Sequence, residues 1–374
     1  MRRKLSIRKK LAFTGLICFL AFGACELYVR ATRRHSDLWA FTGRSLAEHP
    51  MARWAQLDAF CAYRAKPGRY GSLTGAKTVN EHGLISTPSL SLAKPAGVTR
   101  VLFLGGSSTA GTGLNLDDQD TWPAKVIARL SEEFPKKRFQ LINGALGGYS
   151  SFESFGRLTQ RLRFFRPDVV IVYHGWNDLY YFGDRDLAHR WRTLDDGSWG
   201  FEKRPRKLVE PRFFDHLIWP SQVLTKVRIR LAVAAGDGEI GESRGLAPRY
   251  DKRAVEVWRE NLRLIRGAAQ TLGMELFVCK QATLVALDMS PKDLARSNLE
   301  YHGFDLDAHV KAFDALNRVL DEEFPKNRVI DARALSGVSE NFHDHIHPTP
   351  LGATRVAEIV SLGILPYFKG DDGK

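Results

Sequence analysis

One feature constrains this chain more than any other: five short apolar runs alternate with longer amphipathic stretches. The runs cover 100–104, 138–143, 168–173, 274–279 and 328–331; each is rich in Val, Ile, Leu or Phe and bounded by turn residues. Runs so short and so continuously apolar read as strands covered on both faces. Between them, 121–134 sets Trp122, Val126, Leu130 and Phe134 on one helical face. The stretch 251–272 does the same with Val255, Trp258, Leu262, Ile265 and Leu272, and 307–324 with Val310, Phe313, Leu316 and Leu320. Thr349, a good N-cap, precedes Pro350 and opens a last helix to about Leu362. This alternation predicts an α/β fold, a doubly wound five-stranded parallel sheet.

The flanks break the rhythm and suggest a division into 1–35, 36–98 and 99–374. Six positive charges among the first ten residues precede an apolar run from Leu11 to Cys25. Fifteen helical residues span only about 22 Å, short of a bilayer's apolar core of about 30 Å, but continuing through Glu26 to Val29 reaches it. A signal-anchor is the favoured reading, with the amino terminus cytoplasmic and the body extracytoplasmic or periplasmic. A cleaved signal, with Ala21, Gly23 and Ala24 at the cleavage site and a secreted product, is the alternative. Lipidation at Cys25 is disfavoured by Phe22. The net charge of +13 sits mostly here: nine Lys/Arg against Glu26 give +8 within 1–35. The body therefore carries no basic stripe, and nucleic acid is excluded as a partner. Residues 36–98 read as irregular, and 179–250 as an inserted, aromatic-rich segment resembling a lid. Its Trp191 and Trp199 are candidate substrate contacts, since indole faces stack on sugar rings; a packing subdomain or a membrane-facing patch is an equal reading. Cys61 and Cys279 either pair or stand as two unrelated buried thiols, and the second is preferred.

In open parallel sheets ligands bind beyond the carboxyl ends of the strands, so the residues that follow each run carry the chemistry. They are Gly105-Gly106-Ser107-Ser108-Thr109, Asn143 to Tyr149, His174-Gly175-Trp176-Asn177-Asp178, then Lys280-Gln281, and last His343-Asp344-His345-Ile346-His347. Acyl transfer needs a serine in a tight turn, a histidine to take its proton and an acid to orient that histidine. An aspartate three residues before a histidine can do so through a local turn. A Gly148 N–H and the Asn177 amide can stabilise an oxyanion. Lys280 and Gln281 lie at the sheet end where a substrate would sit, though a surface role is equally open.

Taken together, these residues resemble the four blocks of the SGNH (GDSL-type) hydrolases: 105–109, 143–149, 175–178 and 344–347, in family order. The resemblance runs from about Thr99 to the carboxyl terminus outside the insertion. Residues 79–84 and Asp120-Thr121-Trp122-Pro123 also resemble membrane-anchored bacterial members. It implies a flavodoxin-like sheet, Ser107 as nucleophile, His347 as general base and acid, and Asp344 as its orienter. It further implies an oxyanion hole of Ser107 N–H, Gly148 and Asn177, and no cofactor. Gly106 departs from the pattern, standing where the family usually has Asp.

Rival readings are weaker. Residues 106–112 look superficially like a phosphate loop but lack its lysine. An α/β-hydrolase would want Gly at 109 and a wide Asp–His separation. His343, His345 and His347 would share a face if extended, yet no acidic or Cys partners accompany them, so no metal is expected. The resemblance makes a serine esterase acting on O-acetyl groups of a cell-surface or secreted carbohydrate the leading expectation. An O-acyltransferase with the same triad, or a non-catalytic carbohydrate-binding protein, are the alternatives.

Overall fold

The computed structural model describes residues 6–32, 54–58, 60–72, 75–111, 116–183, 191–193, 199–201, 246–297, 299 and 302–370. Helix α1 (Ile7–Thr32) is long and apolar enough to cross a membrane over Ile7–Leu27. Two small antiparallel pairs follow: β1 (Ala55–Asp58) with β2 (Ala62–Ala65), and β3 (Gly68–Ser72) with β4 (Gly75–Val79). Residues 36–98 are therefore not irregular where described. Strands of four or five residues with charged and glycine interruptions carry no readable alternation, which is why the pattern missed them.

The main body then runs β5 (Val98–Gly105), α2 (Ser107–Ala110), α3 (Trp122–Glu133), β6 (Arg138–Asn143), α4 (Ser151–Gln160) and β7 (Val169–His174). A short pair follows, β8 (Trp191–Thr193) with β9 (Trp199–Phe201). Next come α5 (Arg253–Thr271), β10 (Glu275–Lys280), α6 (Pro291–Arg296), α7 (Leu306–Glu323), β11 (Val329–Asp331) and α8 (Pro350–Gly370). Five parallel strands pair in the order β11-β10-β7-β5-β6. Their direction of winding reverses between β5 and β7, the place where such sheets bind ligands.

Strand alternation decides which side each residue packs on. Leu102, Leu104, Val170, Val172 and Val278 face α4, α5 and α7, whose Leu158, Trp258, Leu262 and Leu316 close one layer. Val101, Phe103, Ile171, Phe277 and Cys279 face α3 and α8, with Trp122, Val126, Leu130, Val356, Val360 and Ile364. Helix α8 also has the length and hydropathy of a membrane span, but these contacts make it a core helix. It runs past Leu362 to Gly370 because Ile364, Leu365 and Phe368 continue the buried stripe. Arg100, fully buried, holds the amino end of the sheet: its guanidinium donates to Phe165 O at 2.6 Å, Ser91 O at 2.7 Å and Gln140 Oε1 at 2.9 Å. Cys61 and Cys279 are separate buried thiols.

Candidate active site

At the end of β5 the chain turns through Gly106 into α2, so Ser107 opens a helix at the carboxyl edge of the sheet. Its Oγ lies 2.7 Å from His347 Nε2, and His347 Nδ1 lies 2.7 Å from Asp344 Oδ2. Asp344 Oδ1 also accepts the N–H groups of Ile346 and His347, each at 2.9 Å. The carboxylate thus shapes the turn that carries the imidazole it orients. Burial works to raise the Asp344 carboxyl, but the bond from His347, the nearby imidazoles and the Ile346 N–H hold it well below the usual carboxylate range. An ionised partner at Nδ1 fixes the proton there and leaves Nε2 to accept from Ser107. The neighbouring Ser108 turns inward, where its hydroxyl accepts from Gln281 Nε2 at 3.0 Å.

Two further elements converge on Ser107. The loop after β6 carries Gly148 at φ 81, left-handed backbone that suits glycine. The Tyr63 hydroxyl stands 2.7 Å from where a Cβ at 148 would be. The loop after β7 carries Asn177, whose Nδ2 donates to Tyr149 O at 2.8 Å. A primary amide has a second N–H to offer, and Asn177 lines a small recess together with Ser107, His174, Trp176, Gln281 and Ile346.

Of the two candidate substrate contacts after β10, only Gln281 reaches the recess. Its Oε1 accepts the Trp176 N–H at 2.7 Å, so it bridges the serine turn to the 175–177 segment. Lys280 does not: strand alternation sends it to the other side, where its ammonium meets Asp321 Oδ2 at 2.7 Å and Asp331 at 3.7 Å. The backbones of Trp191 and Trp199 belong to β8 and β9, but their side chains and most of 179–250 lie outside the described residues. The three histidines of 343–347 diverge, because the segment bends around Asp344 instead of extending. His343 is exposed, while His345 stacks on Trp176 with ring centroids 4.2 Å apart. Burial pushes the His345 imidazole down to about 4, outweighing the pull of Asp344. Among the described residues no group of three or more His, Cys, Asp or Glu could hold a metal ion.

Sequence reasoning missed helix α4 and what it carries. Its capping box was legible in Ser150-x-x-Glu153, where Glu153 Oε2 accepts the Ser150 N–H at 2.7 Å. Ser154 on this helix meets His174 Nε2 at 2.7 Å, and Asp178 Oδ1 accepts from the Ser151 hydroxyl at 2.6 Å. Arg157 donates to Gly144 O at 2.8 Å and to Gly83 O at 2.7 Å, tying the glycine loop to the preceding segment.

A parallel five-stranded sheet with these blocks along its carboxyl edge defines a carboxylic ester hydrolase of the SGNH class. Residues 103–355 match the GDSL-like lipase/acylhydrolase family, and the chain belongs to that family. No curated protein matches it. Among solved structures it is similar to an acetylxylan esterase from Geobacillus stearothermophilus, at 13% identity and a TM-score of 0.39, over 71% of this chain and 94% of that one. It is also similar to a GDSL-like lipase from Bacteroides thetaiotaomicron, at 11% identity and a TM-score of 0.39, over 74% of this chain and 93% of that one. A lipase from a goat rumen metagenome gives 14% identity and a TM-score of 0.41, over 71% and 97%.

Proposed function

We propose that this protein is a membrane-anchored serine esterase that removes short acyl groups, most simply O-acetyl, from a cell-surface or secreted carbohydrate. The observation that carries the reading is the unbroken hydrogen-bond relay Ser107–His347–Asp344, with both links at 2.7 Å. In the reaction Ser107 Oγ attacks the ester carbonyl as His347 Nε2 takes its proton. The same proton passes to the leaving sugar oxygen, and water then releases the acyl group from Ser107 by the reverse sequence. The Ser107 and Gly148 N–H groups and the second Asn177 N–H would receive the oxyanion. The recess beside Ser107 is closely walled by Gly106, Ser108, Trp176, Asn177 and Gln281, which favours a short acyl group.

For the anchor, the support is helix α1 and the cluster of positive charges before its apolar run, which favours an amino terminus on the cytoplasmic side and an extracytoplasmic body. The division into anchor, preceding segment and hydrolase body follows the same reading.

The test is fluorophosphonate labelling of the full-length protein in detergent, read by peptide mass spectrometry, beside acetate release from an acetylated polysaccharide. An adduct on Ser107 that is absent from Ser107→Ala and His347→Ala, with acetate released, is expected. An adduct on Ser108, or a folded protein that neither labels nor hydrolyses, would sink the proposal. Acetyl appearing on an acceptor sugar in place of free acetate would make it a transferase.

A further inference from the structure

Tyr63 lies on β2, forty residues before the stretch that matches the family. Its hydroxyl donates to the carbonyl of Gly147. The Gly147 carbonyl and the Gly148 N–H belong to one peptide group. A donor on that oxygen draws electron density from the nitrogen, so the N–H on the far side becomes a stronger donor. The same bond fixes the plane of the peptide and therefore the direction of its N–H.

Tyr63 is itself held from the site. Its own carbonyl accepts the Tyr149 hydroxyl, and the two rings pack edge to face with centroids 5.4 Å apart. The carbonyl of Tyr149 in turn accepts Asn177 Nδ2. A continuous circuit therefore runs from the Asn177 amide through Tyr149 and Tyr63 to the Gly147–Gly148 peptide, joining the two groups assigned above as oxyanion donors. Trp54 closes the outer side of Tyr63 at 6.5 Å, again edge to face.

We infer that Tyr63 is a positioning residue for this hydrolase, through which a segment outside the stretch that matches the family aims and strengthens the Gly148 N–H in the oxyanion hole. The inference rests on the esterase reading of Ser107. It makes the small β1–β2 sheet part of the working site, acting through the glycine loop without touching substrate.

The experiment compares full-length wild type, Tyr63→Phe and Asn177→Ala, using p-nitrophenyl acetate as the probe ester. Phenylalanine keeps both ring contacts and removes only the hydroxyl. Deleting an oxyanion donor costs about 10²–10³ in kcat, so weakening one by the loss of a polarising bond should cost about two- to eightfold. The expected result is that loss in kcat with KM held and Tm lowered by no more than the few degrees that one hydrogen bond is worth. In 15N-glycine-labelled protein the Gly148 amide resonance should also move, which a purely packing role for Tyr63 would not produce. An unchanged kcat in Tyr63→Phe, with Asn177→Ala impaired, overturns the inference alone. So does a loss confined to KM, or an unmoved Gly148 resonance. A wild type without turnover overturns the esterase reading and this inference with it.

Discussion

Gly106 offers the sharpest perturbation of the site. Its backbone is extended, at φ −90 and ψ −152, so a substitution there tests space and not left-handed strain. A Cβ at 106 would lie 2.6 Å from Asn177 Nδ2 and 3.2 Å from Tyr149 O. Those are the two ends of a single hydrogen bond, and a methyl group would wedge it apart. The bond contributes about 0.5–1.5 kcal/mol to stability. Swinging the Asn177 amide away also removes an oxyanion donor, worth about 2.7–4 kcal/mol in the transition state, or about 10²–10³ in kcat. We expect Gly106→Ala to lower kcat for p-nitrophenyl acetate by about that factor, with KM little changed. Gly106→Asp, although it introduces the residue usual in the family, should be at least as impaired, because its Cβ meets the same wall. Steady-state kinetics with Tm as a control for folding makes the comparison. A Gly106→Ala enzyme with wild-type kcat would refute the argument that Asn177 works from this position.

Other outcomes follow from the same geometry. Asp344→Asn keeps the turn but loses the acid that fixes the His347 proton, and kcat should fall by about 10⁴-fold. His309 is fully buried, pushed down to about 3 by burial, and its ring nitrogens have no hydrogen-bond partner among the described residues. Its folded value lies below the unfolded one, so the unfolded chain binds the extra proton and stability falls as pH drops from about 6.5, by up to about 1.4 kcal/mol per unit for this one group. His309→Leu should flatten that dependence in denaturant titrations run at neutral and mildly acidic pH. At neutral pH it should be as stable as wild type or more so. Arg100→Ala leaves Phe165 O and Ser91 O without their donor at the amino end of the sheet. A loss of about 3 kcal/mol or more is expected, read as a lower denaturation midpoint.

The sheet was legible because its central strands are buried on both faces and so concentrate Val, Ile, Leu and Phe in short runs. Helices α3, α5 and α7 were legible from a single buried stripe, with limits within about two residues, whereas α8 runs eight residues past its expected end and α4 was missed. The pairs β1–β2 and β3–β4 were not, because short two-stranded pieces take their stability from docking, which no local pattern records. Asp344 and His347 stood out because their spacing fits a local turn in the loop beyond the last strand, Ser107 and Asn177 because each is a functional type close behind a strand. Lys280 fits that description equally well, and only the register of β10 shows that it points at Asp321. Tyr63 had no such mark: its importance lies in one hydroxyl meeting a carbonyl 84 residues away, a relation that exists only after the chain has folded.

The acid and the base share one four-residue turn, whereas the serine comes from 240 residues earlier in the chain. The Asp344–His347 pair is thus a cassette that assembles locally, and only a single long-range meeting remains to be made. Anything that lets the 341–348 segment lift away disconnects the nucleophile while leaving every strand of the sheet paired. Activity should therefore vanish at lower denaturant concentrations than the far-ultraviolet signal of the fold, making turnover an early sensor of local detachment.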